Sequence, residues 1–405
     1  MSASTSSPTE SETYIRDFLA ANPSLDAELG DVEVMTDRYT NKEWAEQIKE
    51  TQRKVLREVE ERGKEDGKGW RYDVPAVGDG GLAKTMDHTV LKLDAGQAAI
   101  DGLCSEARIE GFKSVCIRLP WVSRCISNLK GTDVVVACVV GFHEGTQDTY
   151  SKLREARAAV AAGAAELDVV LNHSILTKHN QPSSPSRPAA PSSRDSTADT
   201  ITAANTEANA RPQNGTTATE GPYSVPGSVP GSQYGEDEDI PDYSTIYKEL
   251  ASIRSLCPSP VILKLILETS QLSDSQILAA SHLAAAANFD FIKTSTGFNG
   301  PGATLPHVRL MVTAAEYLSS KTPRNKGSPV RGNGKLMKVK ASGGIRSLED
   351  ARKMLETGAQ RLGTSSGVWI IQEGRRASES EKGGEERPAG LKTRLYTDDS
   401  VGEGY

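Results

Sequence analysis

Short apolar runs alternate with helical patterns between residues 82 and 371, and this rhythm limits the folds that the chain can adopt. The apolar runs are nearly continuous, as in parallel strands that are covered on both faces. We predict strands at 85–91, 114–119, 134–141, 166–171, 261–267, 289–294, 336–341 and 361–363. A repeated strand–helix order gives an α/β fold, either a (β/α)8 TIM barrel or a doubly wound sheet. Polar residues collect at the C-terminal ends of many strands instead of at one switch point, so we predict the barrel.

Residues 1–81 precede the first strand, and we predict a polar N-terminal lead with one amphipathic helix. The first 41 residues are polar and weakly patterned, which is typical of a mobile segment. From Asn41 onward, apolar residues recur at helical spacing among charged ones. We therefore expect a helical extension here that docks either on the barrel or on a partner.

Residues 179–242 and 372–405 lack the periodicity of the barrel elements. The first segment is rich in Pro, Ser, Thr, Asn and Gly, and it cannot bury enough apolar surface to offset its ordering entropy. We therefore predict a disordered, low-complexity insertion after the fourth strand, within one strand–helix unit. The second segment is charged and Gly-rich, and we predict a flexible tail that ends at Tyr405.

Composition and charge exclude several classes of function. The formal net charge of −7 disfavours the basic surface that nonspecific nucleic-acid binding needs. The N-terminus lacks the basic region and apolar run of a secretory signal, and no apolar run is long enough to cross a bilayer. Five cysteines without a Cys-x-x-Cys pair are most simply reduced thiols. We therefore predict a soluble, cytoplasmic protein that binds neither nucleic acid nor membranes.

Two lysines lie on predicted buried strands, and each precedes a glycine-containing turn. Lys293 belongs to Asp290-Phe-Ile-Lys-Thr-Ser-Thr-Gly297, and Lys340 belongs to Val339-Lys-Ala-Ser-Gly-Gly344. Burial and a nearby cation both lower the pKa of a lysine and free the neutral amine that attacks a carbonyl. A single strand lysine is more often a snorkelling residue, but two with these motifs favour imine chemistry. We predict that one lysine is the nucleophile, while the other stays charged and passes protons.

Other polar residues lie at strand ends, which meet around one mouth of a barrel. Asp168 is a carboxylate within an apolar strand, and we predict that it acts as general acid/base with the second lysine. Asp87 and Lys264 either form a supporting ion pair or participate directly. We interpret Cys116 as a buried small residue, because no histidine with a recognisable context accompanies it. Thr89 and Cys116 are placed with the supporting residues.

Glycines and serines that follow the last strands predict a phosphate site. Phosphate sites in barrels are often built from the loops after strands 7 and 8 and a helix N-terminus, with backbone N–H groups as donors. The predicted cradle consists of Gly297, Gly343, Gly344, Ser365 and Ser366. The six histidines show no ligand spacing, so we predict no metal site.

Eight sequence motifs resemble, in chain order, those of deoxyribose-phosphate aldolases. They are Met86-Asp-His-Thr89, Ser114-Val-Cys-Ile117, Val139-Val-Gly-Phe142, Glu166-Leu-Asp-Val-Val170, Leu263-Lys-Leu-Ile-Leu-Glu-Thr269, Phe291-Ile-Lys-Thr-Ser-Thr-Gly297, Val339-Lys-Ala-Ser-Gly-Gly344 and Leu362-Gly-Thr-Ser-Ser366. The resemblance covers roughly residues 82–371 without the insertion, and the motifs of Lys293 and Lys340 together are highly specific.

The resemblance implies a class I aldolase on a (β/α)8 barrel, without a metal or other cofactor. Such enzymes act in deoxyribonucleoside catabolism and interconvert 2-deoxy-D-ribose 5-phosphate with D-glyceraldehyde 3-phosphate and acetaldehyde. The implied partners are thus a phosphorylated deoxy sugar and small aldehydes, and a homo-oligomer is left open. By the same resemblance, Lys293 forms the Schiff base, and Asp168 and Lys340 relay protons. Some members end in a tyrosine that reaches the active site, so Tyr405 is either such a residue or an uninvolved terminus.

Two alternatives stay open at the level of sequence. The first is another phosphate-binding barrel enzyme, such as an isomerase or a different class I aldolase, which substrate profiling would separate. The second is an inactive barrel that serves as a scaffold through its insertion and tails. Intact Asp168, Lys293 and Lys340 weigh against a scaffold, because buried charges are costly to keep.

Overall fold

Eight parallel strands close into a barrel in the order of the sequence, and the last strand pairs with the first. The computed structural model describes residues 7–26, 39–64, 69–78, 80–178, 240–320 and 336–382. The strands are β1 Met86–Thr89, β2 Ser114–Ile117, β3 Val135–Val140, β4 Glu166–Val170, β5 Ile262–Ile266, β6 Phe291–Lys293, β7 Lys338–Ser342 and β8 Arg361–Thr364. Nearly every strand residue is buried, which accounts for the continuous apolar runs. The predicted (β/α)8 barrel is confirmed.

Helices follow the strands and cover the outside of the barrel. They are α3 Gln97–Glu110, α4 Val122–Asn128, α5 Thr149–Ala161, α6 Ser174–Thr177, α7 Tyr243–Leu256, α8 Asp274–Ala286, α9 Leu305–Ser320, α10 Leu348–Glu356 and α11 Gly367–Lys382. Local signals fix where several of them begin. Ser273 and Gln276 form a complete capping box at α8, and the Ser347 hydroxyl accepts the Asp350 N–H at the start of α10.

The described part of the lead contains two helices, whereas one is predicted from the sequence. They are α1 Glu10–Ala21 and α2 Asn41–Gly63. A capping box begins α1, because the Thr9 hydroxyl accepts the Glu12 N–H and the Glu12 carboxylate accepts the Thr9 N–H. Helix α2 begins at Asn41 as predicted, and it packs on α7, α8 and α9 with Trp44 and Ile48 buried. The structure therefore shows α2 docked on the barrel, which is one of the two predicted docking options.

The boundaries of the insertion and the tail differ from the predicted ones. Residues 240–242 are described, and the Asp242 carboxylate caps α7 by accepting the Thr245 N–H. Helix α11 continues past residue 372 to Lys382. Within it, Glu373 accepts the Leu348 N–H at 2.6 Å and thereby ties α11 to α10. Residues 179–239 and 383–405 lie outside the described residues, so disorder and flexibility there stay predictions.

The apolar core has two parts. The larger part fills the space between strands and helices and includes the buried face of α2. The smaller part, which we call the inner cluster, consists of Leu91, Cys116, Ala137, Val139, Phe142, Val170 and Ile266. Its members come from β2 to β5 and from the segments after β1 and β3, so it lies next to the C-terminal ends of the strands. None of the helices in the described ranges combines the length and apolar character that a membrane crossing requires.

Candidate active site

Strand register brings the predicted catalytic residues together inside the barrel. Lys293 on β6 lies opposite Lys340 on β7, and Asp168 on β4 lies opposite Lys264 on β5. All four side chains are almost fully buried. Paired residues of neighbouring strands point to the same face of the sheet. These four side chains therefore meet in the barrel interior, where Asp168 contacts all three lysines.

Asp168 is the centre of this group. Its Oδ2 atom accepts hydrogen bonds from Lys293 Nζ at 2.9 Å and from Lys340 Nζ at 2.8 Å. Its Oδ1 atom accepts one from Lys264 Nζ at 2.7 Å. Burial alone would raise the pKa of Asp168, but the three lysines together hold that pKa well below its ordinary value. Asp168 is therefore a carboxylate that joins three amines.

The two candidate catalytic lysines have different surroundings. Burial lowers the pKa of Lys293; the Asp168 carboxylate opposes this effect, and the charge of Lys340 adds to it. Burial also disfavours the charge of Lys340, but Asp168 and Asp87 outweigh it and raise the pKa of Lys340 above its ordinary value. Asp87 Oδ2 lies 2.6 Å from Lys340 Nζ, so Lys340 has two carboxylate neighbours where Lys293 has one. Lys293 is thus the amine that loses its proton more readily.

A second layer of charges surrounds Lys264. Its Nζ atom lies 2.6 Å from Glu166 Oε2 and 3.5 Å from Asp87 Oδ2. Arg361 contacts both of these carboxylates, and the Ser114 hydroxyl donates to Asp87 at 2.6 Å. Asp87 and Lys264 are therefore within ion-pair distance inside a larger network, while the choice between a supporting and a direct role stays a prediction.

The residues joined by these ion pairs include one more cation than carboxylates. The cations are Lys264, Lys293, Lys340 and Arg361, and the carboxylates are Asp87, Glu166 and Asp168. With all groups ionised, four buried cations face three buried carboxylates. An uncompensated buried charge is unfavourable, so these ion-paired groups by themselves favour a neutral lysine. The buried carboxylate of Glu268 also interacts with Lys293, from outside this set. The count points to the same residue as the local pKa shifts, because Lys293 has the lowered pKa.

A cavity of about 670 Å³ opens at the C-terminal ends of the strands, and Lys293 lines it. Asp168, Lys264 and Lys340 do not belong to its lining. Of the other predicted site residues, Thr89, Gly297, Gly343, Gly344 and Ser365 line the cavity. The lining also includes Thr296, Phe298, Ile345 and Arg346, which the sequence analysis does not identify.

The predicted phosphate residues form one side of the cavity. Gly343 has a φ of 85°, and a Cβ atom on the facing Gly302 would lie 2.2 Å from the Gly343 carbonyl oxygen. Only glycine fits such an approach, and it leaves backbone groups accessible to a ligand. Ser365 lies just before the N-terminus of α11, where unpaired N–H groups favour an anion. Ser366 is half-buried and is not part of the cavity lining.

The supporting residues take different positions. Thr89 lines the cavity, but its hydroxyl donates to the Asp87 carbonyl oxygen at 2.9 Å. Cys116 belongs to the inner cluster, and its thiol lies 3.9 Å from Asp168 Oδ2. Burial and the nearby Asp168 charge raise the pKa of Cys116, so the thiol stays protonated, in keeping with its interpretation as a buried small residue. Tyr405 lies outside the described residues.

Comparison with known proteins finds deoxyribose-phosphate aldolases. One from Coccidioides immitis is 36% identical over 304 residues, covering 75% of this chain and 84% of the relative. One from Caldanaerobacter subterraneus subsp. tengcongensis is 34% identical over 294 residues, covering 72% of this chain and 93% of the relative. A Coccidioides immitis crystal structure under the same enzyme name has a TM-score of 0.58 at 32% identity, covering 83% of this chain and 98% of that chain. No family model matches the sequence.

These findings identify the class of protein and then its family. A closed (β/α)8 barrel with a buried lysine–carboxylate centre next to a cavity at its mouth has the architecture of a barrel enzyme, and the relatives named above are aldolases, a type of lyase. The chain belongs to the deoxyribose-phosphate aldolase family, because it spans 84% and 93% of the two relatives at the identities given above. It is therefore an aldolase, a carbon–carbon lyase of the aldehyde-lyase class, and the resemblance seen in the eight motifs is confirmed.

Proposed function

We propose that this aldolase cleaves 2-deoxy-D-ribose 5-phosphate reversibly to D-glyceraldehyde 3-phosphate and acetaldehyde through a Schiff base on Lys293. The observation that carries the proposal is the inequality of the two lysines around Asp168. Lys293 has the lowered pKa and lines the cavity, whereas Lys340 has the raised pKa and is not part of the lining. The names of the relatives support the identity of the sugar.

The reaction begins when the neutral amine of Lys293 attacks the aldehyde carbon C1 of the open-chain sugar, and loss of water leaves an iminium ion. The iminium ion draws electrons from the C2–C3 bond, which breaks as the C3 hydroxyl loses its proton. D-glyceraldehyde 3-phosphate leaves, and the enamine of acetaldehyde stays on Lys293. Protonation of C2 and addition of water then release acetaldehyde and restore the amine.

Asp168 and Lys340 transfer the protons in this scheme. Asp168 is within hydrogen-bond distance of both lysine amines, so a proton has a short path between them and on to water in the cavity. Lys340 keeps its proton until it is needed, because Asp87 and Asp168 stabilise the charged form. Their joint action gives the second buried lysine a role in the proposed reaction.

The phosphate group binds at the side of the cavity formed by the loops after β7 and β8. The supporting observations are the accessible backbone of Gly343 and Gly344, the Ser365 hydroxyl and the N-terminus of α11. Arg346 is exposed at the cavity and supplies a positive charge. A role for Ser366 stays a prediction.

Borohydride trapping tests the central claim. The protein is incubated with acetaldehyde and borohydride, and the modified lysine is mapped by mass spectrometry. We expect modification of Lys293, and none of the trapped adduct in a Lys293→Arg variant. Modification of Lys340 would invert the two roles, and a wild-type protein that traps nothing would refute the Schiff base. Activity lost with EDTA and restored by a divalent metal would indicate a metal-dependent aldolase instead.

We also propose a cytoplasmic location and a role in deoxyribonucleoside catabolism. All five cysteines are buried, free thiols, as is common where proteins are kept reduced. The catabolic role follows from the proposed substrate. Fractionation of the source cells, followed by the aldolase assay on each fraction, tests the location.

A further inference from the structure

A buried arginine connects the N-terminal helix to the mouth of the cavity. Arg118 follows β2 directly and is only 3% exposed. Its Nε donates to the Leu91 carbonyl oxygen at 2.7 Å, and its Nη1 donates to the Phe142 carbonyl oxygen at 3.4 Å. The same Nη1 contacts the hydroxyl of Ser11, a buried residue of α1, at 3.3 Å. One guanidinium thus joins three segments that are distant in sequence.

Two of these segments shape the cavity wall. Leu91 is itself a lining residue. The Phe142 ring lies under the Arg118 guanidinium at 5.0 Å and meets the ring of Phe298, another lining residue, edge to face at 5.1 Å. Phe298 in turn stacks on His143 at 5.2 Å. A shift of the guanidinium would therefore move two parts of the cavity wall, namely Leu91 and, through Phe142, the ring of Phe298.

The position of Arg118 is costly for a cation. Burial lowers its pKa, and the carboxylates of Glu155 and Glu144 oppose this effect only from beyond ion-pair distance among the described residues. Carbonyl and hydroxyl oxygens are its acceptors instead, and they compensate a buried charge less well than a carboxylate does. A well-packed apolar residue would fill the same space without that cost. What an apolar residue could not do is hold the Leu91 and Phe142 backbones and α1 in one arrangement.

We propose that Arg118 is a positioning residue that sets the wall of the sugar-binding cavity, and that α1 takes part in this through Ser11. The inference depends on the proposed function, because it assigns the sugar to this cavity. Arg118 is not part of the lining, so it acts through Leu91, Phe142 and Phe298. The N-terminal lead is then a component of substrate selection as well as a cover for the barrel.

The test compares a large and a small carbonyl substrate in full-length variants. In Arg118→Met, we expect kcat/KM for 2-deoxyribose 5-phosphate to fall about tenfold or more, on the scale of a lost positioning contact. Trapping of acetaldehyde by borohydride should stay within about twofold of wild type, because that small molecule needs only the Lys293 centre and little of the wall. Equal losses in both assays, or no loss in either, would overturn the inference.

Two further variants separate positioning from general destabilisation. Arg124→Met is the matched control, because Arg124 lies six residues along and pairs with Asp101 on the outside of the barrel. It should leave both assays unchanged. Ser11→Ala removes only the hydroxyl that Arg118 contacts. We expect a smaller loss of kcat/KM, about twofold to fivefold, for the sugar alone. If Ser11→Ala leaves the selectivity at the wild-type value, α1 has no part in it.

The outcomes also separate this inference from the proposed function. A wild-type protein that neither traps acetaldehyde nor cleaves the sugar overturns the proposed function. A wild-type protein that does both, with Arg118→Met equal to it in both assays, overturns only the role of Arg118.

Discussion

Replacing Lys340 with methionine should raise the pKa of Lys293 and shift imine formation to higher pH. The two amines contact the same oxygen of Asp168 at 2.9 and 2.8 Å, so they lie no more than about 6 Å apart. At this separation two unit charges repel by about 3 kcal/mol with an effective dielectric constant of about 20. That repulsion corresponds to roughly 2 pKa units, because one unit is about 1.4 kcal/mol.

The assay is the rate of borohydride trapping with acetaldehyde as a function of pH. Only the neutral amine attacks, so a higher pKa lowers the reactive fraction at neutral pH and restores it as the pH rises. We expect the midpoint of the profile in Lys340→Met to move up by up to roughly 2 units, with a rate at neutral pH that is lower by up to roughly 100-fold. Lys340→Arg keeps the charge but cannot transfer a proton, so its midpoint should stay near wild type while turnover falls.

Lys338→Met is the matched control on the same strand. Lys338 is exposed, and its ammonium group lies 5.8 Å from the centre of the Phe291 ring, away from Asp168. It should leave the profile unchanged. A midpoint in Lys340→Met that stays at the wild-type pH, or moves down, would refute the electrostatic role of Lys340.

Three other variants test the remaining assignments. Lys293→Arg should abolish turnover and leave the circular dichroism spectrum unchanged, because a guanidinium does not lose the proton that blocks attack; residual trapping at another lysine would contradict the assignment. The double variant Ser365→Ala with Ser366→Ala should raise KM for the phosphorylated sugar and narrow the enzyme's preference for that sugar over unphosphorylated deoxyribose. An unchanged ratio of the two kcat/KM values would place the phosphate elsewhere. Tyr405→Phe should slow hydrogen–deuterium exchange at the acetaldehyde methyl group roughly tenfold or more if the terminal phenol assists proton transfer, with trapping intact; exchange at the wild-type rate would leave the tail without a catalytic role.

The barrel was predictable because its local signals repeat. Most strands lie in short, largely apolar runs, and each of the eight predicted runs overlaps one strand, with β7 and β8 extending one residue beyond the predicted end. Helix α1 illustrates the limit of this approach. Its apolar positions are few, so periodicity alone does not reveal it, although Thr9 and Glu12 have the spacing of a capping box. A search for caps in the lead would have indicated the helix.

Some residues of the site could likewise be predicted from the local sequence, whereas others depend on contacts between strands that are distant in sequence. Lys293, Lys340 and Asp168 were identifiable because each is a charged residue within an apolar strand. Glu166 was accessible to the same reasoning, since it lies two positions before Asp168 on the same strand face. Arg361 was not, because its contact with Asp87 exists only when β8 pairs with β1, and no local pattern specifies that closure.

The charge network also bears on how the barrel assembles. Its members come from β1 and from every strand between β4 and β8, and Arg361 of the last strand neutralises Asp87 of the first. A partly assembled barrel would therefore hold charged side chains whose partners are still in solvent, at a cost of several kcal/mol for each ion that is buried unpaired. Half-barrel intermediates that bury this interior would carry that cost, so closure of the ring would be coupled to the pairing of these charges.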